Sequence, residues 1–211
     1  MWDEVEDAMR KILDEIGIEY TEEVGEAAFY GPKLDIQAKN VYGKEDTMIT
    51  IQLDMCLAER FDMSFVDKDG TKKRPYIIHR TSMGCYERTL AWLIEKYEGA
   101  FPTWLCPEQV RVLPISEKYH DYAEKVEAEL KANGILATVD ERAEKIGYKI
   151  REARLAKLPY MLVVGQKEEE DGLVSVRSRF NGDEGQKSLS DFIDAISREI
   201  RTKEIKTINV E

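Results

Sequence analysis

At 211 residues with 43% apolar content, the chain is long enough for one large domain or two of roughly 100 residues each. No run of about 18 apolar residues could span a bilayer, and Met1-Trp2-Asp3-Glu4 lacks the basic and apolar regions of a signal peptide, so a cytoplasmic location with no membrane partner is expected. Cys56, Cys85 and Cys106 are odd in number and lack the spacing of a zinc ribbon or disulfide framework, which makes reduced thiols the default. The net charge of -11 speaks against a nucleic-acid partner until it is divided along the chain. Residues 1–104 carry 13 basic and 21 acidic side chains, whereas residues 105–211 carry 18 and 21. Within that second half Arg142, Lys145, Lys149, Arg151, Arg154 and Lys157 crowd a short stretch, where a local positive surface is expected.

Trp2, Val5, Met9, Ile12, Leu13 and Ile16 follow helical spacing and predict a helix with one buried face, stopped at Gly17. A strand-like pattern runs from Phe29 to Ala38. Then Ile49, Ile51 and Leu53 alternate with Thr50, Gln52 and Asp54, which places Gln52 opposite the aliphatic face of a strand. On pattern alone that second face is simply solvated. Residues 62–67 and 72–78 are two further strand candidates around the turn pair Asp69-Gly70, with Lys72-Lys73-Arg74 and Pro75 suiting an edge. His79 ends a strand; such a lone histidine is most often a satisfied structural residue, and nothing near it in sequence has the spacing to complete a zinc site. The chain then passes through Gly84 into a helix of Leu90, Leu93, Ile94 and Tyr97, closed by Gly99, with Arg88 in its first turn. A guanidinium at a helix start suits a phosphate in charge and shape, although an ion pair is the commoner role for a Glu-Arg pair there. Tyr30-Gly31-Pro32-Lys33 joins a phenol, a close-approach glycine and an ammonium; the plain alternative is an ordinary turn.

The segment from Phe101 to Pro107 holds two prolines and marks a boundary. Beyond it strands are predicted at 110–115, 135–139, 160–164 and 173–177, alternating with helices on Tyr119 to Leu130, 143–157 and Phe192 to Ile200, and His120 is given a surface role. This is an α/β sandwich with a mixed, largely parallel sheet. Residues 202–211 read as a mobile tail.

Taken in order, several stretches resemble the threonyl-tRNA synthetase family. They are Ala28 to Asp35, Ile51-Gln52-Leu53-Asp54, Ile78-His79-Arg80 and Gly84-Cys85-Tyr86-Glu87-Arg88, then Phe101 to Leu105, Glu144 to Glu152 and Pro159 to Gly165. The resemblance implies the end of a class II catalytic domain with an antiparallel sheet, residues 1–104, followed by an α/β anticodon-binding domain, residues 105–211. It also implies the reaction: ATP, with magnesium, activates threonine, which is passed to the threonine tRNA. Arg88 then matches the arginine holding the γ-phosphate. Lys33, Tyr30 and Gln52 match residues of the threonine and ATP pockets, with Cys85 standing where a serine is familiar. His79 matches one of three zinc ligands, and Lys145, Arg151, Glu168 and Arg177 match positions meeting the anticodon loop. Arg can read guanine edges and Glu can accept from an exocyclic amine, while a surface ion pair remains the alternative for each.

Ala27 replaces an expected glycine and Ala143 an expected asparagine. The first two class II motifs and two zinc ligands have no counterpart in these residues. The expectation is therefore part of a longer enzyme that is a homodimer when complete, with little activity alone. The alternative is a free-standing, non-catalytic tRNA-binding or regulatory module.

Overall fold

The structure is a computed structural model describing residues 2–207. Its compact units divide between Trp92 and Leu93.

In the first unit α1 (Trp2–Ile16) is set by the expected periodicity, with Asp3 and Glu4 in its first turn, where the helix dipole favours acids. The face is less buried than the periodicity predicts. Leu13 alone on it is buried, while Ile12 and Ile16 are exposed. β1 (Lys33–Lys39) and β2 (Glu45–Asp54) form an antiparallel hairpin, closed where the Asn40 carbonyl oxygen Oδ1 accepts from the Tyr42 and Lys44 amides. α2 (Leu57–Arg60) starts beneath Asp54, whose Oδ1 accepts from the amides of Cys56 at 2.8 Å and Leu57 at 2.9 Å. β3 (Phe65–Val66) and β4 (Lys72–Lys73) make a short hairpin around Asp69-Gly70. The strand expected over 72–78 is split: Pro75 cannot donate to a ladder, and pairing resumes in β5 (Ile77–Arg80), antiparallel to β2. The sheet order is β1-β2-β5. α3 (Tyr86–Tyr97) follows, and the division between units falls inside it.

The second unit is an α/β sandwich. A 3₁₀ turn at Thr103–Leu105 leads to β6 (Val110–Pro114), α4 (His120–Ala132), β7 (Ala137–Val139), α5 (Ile146–Leu155) and β8 (Tyr160–Val164). Then come α6 (Gln166–Asp171), β9 (Leu173–Ser178), β10 (Gly182–Ser188) and α7 (Leu189–Thr202), the last capped by the Ser188 hydroxyl. The sheet order is β10-β9-β8-β6-β7; β6 is parallel to β7 and β8, while β8, β9 and β10 pair antiparallel. Strand alternation divides the core in two. Val110, Val112, Leu162, Val164, Val174 and Val176 meet α4 and α7, and Leu113 and Met161 meet α5 through Ala153 and Ile150.

Three sequence expectations change here. Lys149, counted toward a positive surface, is 1% exposed. His120 is half-buried, with its Nε2 enclosed and unpartnered. The tail is partly anchored: Lys206 donates to Tyr160 Oη at 2.8 Å and to Glu199 Oε2 at 2.7 Å, because the enclosed Glu199 carboxylate needs a cation. Residues 208–211 of that tail lie outside the described residues. Among the described residues no helix is long and apolar enough to cross a membrane.

Candidate functional site

In the first unit the β1-β2-β5 register brings three distant candidates into one row. Lys33 pairs with Gln52, and Gln52 pairs with His79. Directly opposed residues of antiparallel strands project to the same face, so an ammonium, an amide and an imidazole share one side of the sheet. Tyr30 joins them from the turn before β1, donating through its hydroxyl to Gln52 Oε1 at 3.0 Å, with its ring edge-on to His79 at 6.1 Å. Gly31 makes this approach possible, since a Cβ there would lie 1.7 Å from the Leu53 carbonyl oxygen. The neighbouring row carries Asp35 opposite Thr50. Asp35 binds Lys33 Nζ at 2.6 Å and the Thr50 hydroxyl at 2.7 Å. A cleft of about 340 Å³ opens here, lined by Tyr30, Lys33, Asp35, Thr47, Thr50 and Gln52 among others.

His79 is held from behind. Its Nε2 lies 2.9 Å from Oδ2 of Asp54, whose side chain is fully buried. Burial pushes the Asp54 carboxyl upward, but the His79 bond and the Leu57 and Cys56 amides outweigh it and leave the group below its ordinary value. Arg88 stands in the first turn of α3, as expected, and donates to the Thr47 carbonyl oxygen at 2.8 Å, which ties it to a residue of the cleft wall. Gly84 brings β2 and this turn together: a Cβ there would meet the Met48 carbonyl oxygen at 2.0 Å. Cys85 is outside the cleft lining; its thiol donates to Glu87 Oε2 at 3.0 Å.

In the second unit Lys145 is the N-cap residue of α5 and Arg151 is exposed two turns along it. Glu168 and Arg177 come together on another element pair. Ser175 and Arg177 alternate with the buried Val174, Val176 and Ser178, so they share the sheet face that carries Met161 and meets α5. Glu168 accepts from the Ser175 hydroxyl at 2.8 Å, from Gln186 Nε2 at 2.7 Å and from the Gly165 amide at 3.0 Å. Desolvation raises its pKa, and these donors more than reverse the effect. Arg177 is paired with Asp183 across β9 and β10 at 2.5 Å, and its side chain keeps 30% exposure.

Two contributions carried no role in the sequence reading. Asp54 was legible, for an aspartate between a strand and a short helix is a capping signal. The other is the pairing of Arg142, counted in the sequence only toward a positive surface, with Asp140: Arg142 Nε lies 2.9 Å from Oδ1 and Nη2 2.6 Å from Oδ2, and nothing in local sequence marks it.

Comparison with known proteins defines the class first. Residues 1–97 match the tRNA synthetase class II core domain (G, H, P, S and T), and residues 109–199 match the anticodon binding domain. A prolyl-tRNA synthetase structure from Cryptosporidium parvum superposes with a TM-score of 0.68 at 21% identity, covering 96% of this chain and 49% of that one, and shows the fold alone. The crystal structure of the RNA binding domain of threonyl-tRNA synthetase from Cryptosporidium parvum Iowa II has a TM-score of 0.79 at 38% identity, covering 93% of this chain and 50% of that one. The threonine–tRNA ligase of Clostridium botulinum (strain Eklund 17B / Type B) is 64% identical over 96% of this chain and 32% of its own length. That of Clostridium perfringens (strain SM101 / Type A) is 63% identical over the same shares, 96% and 32%. The chain belongs to the threonine–tRNA ligase family of class II aminoacyl-tRNA synthetases. It spans about a third of the length of the curated relatives it matches.

Proposed function

We propose that the chain works as part of a threonine–tRNA ligase in the cytoplasm, contributing one wall of the threonine and ATP cleft and the domain that grips the tRNA anticodon. The boundary between these roles is placed at 104/105. In the reaction a threonine carboxylate oxygen attacks the α-phosphorus of magnesium-bound ATP and pyrophosphate leaves. The threonyl group is then passed from the adenylate to a hydroxyl of the terminal tRNA ribose, displacing AMP. Arg88 contacts the γ-phosphate, while Lys33, Tyr30 and Gln52 serve the threonine and ATP pockets; Cys85, outside the cleft lining, is assigned to them on the resemblance alone. These groups act by positioning and charge stabilisation. Lys145, Arg151, Glu168 and Arg177 meet the anticodon loop. The complete enzyme is a homodimer in this reading.

The observation that carries the proposal is the row Lys33, Gln52, His79, three residues spread over the sequence that the register places on one face beside Tyr30. The described residues do not by themselves fit the zinc ion that the family resemblance implies. His79 supplies one imidazole, and no group of three His, Cys, Asp or Glu side chains among them could hold a metal, whereas a tetrahedral site takes at least three protein ligands. No step is therefore derived through it, and His79 as a ligand rests on the resemblance. The rival, a non-catalytic tRNA-binding module, gains no support from relatives named as ligases.

The test replaces the matching third of the Clostridium botulinum ligase with this chain. The chimera should charge threonine tRNA, and Arg88→Ala in it should lower kcat by about 10²–10³. A folded chimera that charges equally well with Arg88→Ala refutes the assigned role.

A further inference from the structure

We infer that Arg142 and Tyr148 form a stacking platform for one unpaired nucleobase on the outer face of α5, an inference resting on the anticodon-binding reading above. α5 turns Ile146, Lys149, Ile150 and Ala153 toward the sheet and core. Lys145, Tyr148 and Arg151 recur at three-residue spacing on its other side, all exposed. Tyr148 keeps 46% of its surface in solvent, a large aromatic left outside the core between two cations. The Arg142 guanidinium carbon lies 5.6 Å from the centre of its ring.

This pair is built from beneath. The Asp140 carboxylate, 3% exposed, binds the guanidinium through two oxygens, while the Arg142 side chain remains 47% exposed. Asp140 is itself held by α5: the buried Lys149 Nζ donates to its carbonyl oxygen at 2.8 Å and to that of Pro114 at 3.2 Å. Lys149 thus fixes the backbone of Asp140, Asp140 aims Arg142, and Arg142 meets Tyr148 one residue before Lys149. An ion pair alone would satisfy Asp140 without setting a guanidinium against an exposed ring. A planar cation and an aromatic ring flanked by Lys145 and Arg151 offer a splayed-out base a π surface and its phosphates a positive setting.

The test titrates the intact chain with the anticodon hairpin of a threonine tRNA, and with hairpins in which each loop nucleotide in turn is abasic. Tyr148→Phe should bind as the parent does. Tyr148→Leu should lose about tenfold on the intact loop with its salt dependence unchanged. At one loop position the abasic hairpin should cost the parent about tenfold and cost Tyr148→Leu nothing further. Arg142→Gln, which leaves the α5 ring in place, should shrink that same penalty. If Tyr148→Leu binds the intact hairpin as the parent does, or every abasic penalty is the same in both, the platform is refuted while the anticodon reading stands. A parent chain that binds no hairpin refutes both.

Discussion

Gly31 and Asp54 show how much of the cleft depends on residues that touch no substrate in the proposed reaction. A Cβ on Gly31 would collide with the Leu53 carbonyl oxygen, a backbone atom that cannot turn aside. Gly31→Ala should therefore separate Tyr30 from Gln52 and lower the thermal midpoint of the first unit, read by calorimetry. Asp54 has a folded-state pKa below its unfolded value, so the stability it contributes is present above the ordinary carboxylate pKa of about 4 and is lost as pH falls through the folded value. Asp54→Asn should flatten that acid limb in urea titrations between about pH 5 and 2; an unchanged slope would separate Asp54 from His79 energetically. In the second unit Arg177→Ala should cost roughly 1–3 kcal/mol on the cognate hairpin and reduce its advantage over a mismatched one, because a planar fork can pair with one guanine. Lys145→Ala should weaken both equally and flatten the salt dependence, as a point charge near phosphate would. Local sequence could not reveal which cations are free for such work. Lys149 belongs to the same basic run as Lys145 and Arg151, yet it is enclosed, and burial depresses its pKa.

Helix and strand periodicity made the central elements of the second unit legible because Val112, Leu162 and Val176 each lie in strongly apolar surroundings. The same rule explains what went unread. β10 has the sequence GDEGQKS, without an apolar side chain to alternate, and exists through its ladder to β9. α6 is QKEEED; its start is fixed by the Glu168 carboxylate accepting from the Gly165 amide. These two elements carry Glu168, Gln186 and Asp183, so the site was readable as residues but not as a surface. The first-unit site was legible in the opposite sense: Tyr30, Gln52 and His79 were named from family resemblance, while the cross-strand row joining them needed a register that pattern alone does not give. Where the core is continuous, truncation should be expensive. Leu162→Ala, at a fully buried β8 position, should cost about 2–5 kcal/mol in urea unfolding of the second unit.

Over the whole molecule the two units differ in what holds them. Among the described residues of the first, Leu13, Pro32 and Ala58 are the buried apolar side chains, while Phe29, Tyr42, Phe61 and Ile78 are exposed. The second has a two-sided core and a fastening between its ends, where the Thr103 hydroxyl donates to the buried Glu199 carboxylate that also accepts from Tyr160 at 2.7 Å and Lys206 at 2.7 Å. Limited proteolysis should thus remove the first unit and leave a resistant core beginning near Thr103; a resistant fragment of residues 1–100 would reverse that ranking. The central claim is that this chain recognises a threonine tRNA through its second unit, and titrating the intact chain with the cognate anticodon hairpin and with one of swapped anticodon tests it most directly. The account predicts at least about tenfold tighter binding of the cognate hairpin at moderate salt; equal affinity for the two, or binding to neither, would contradict it.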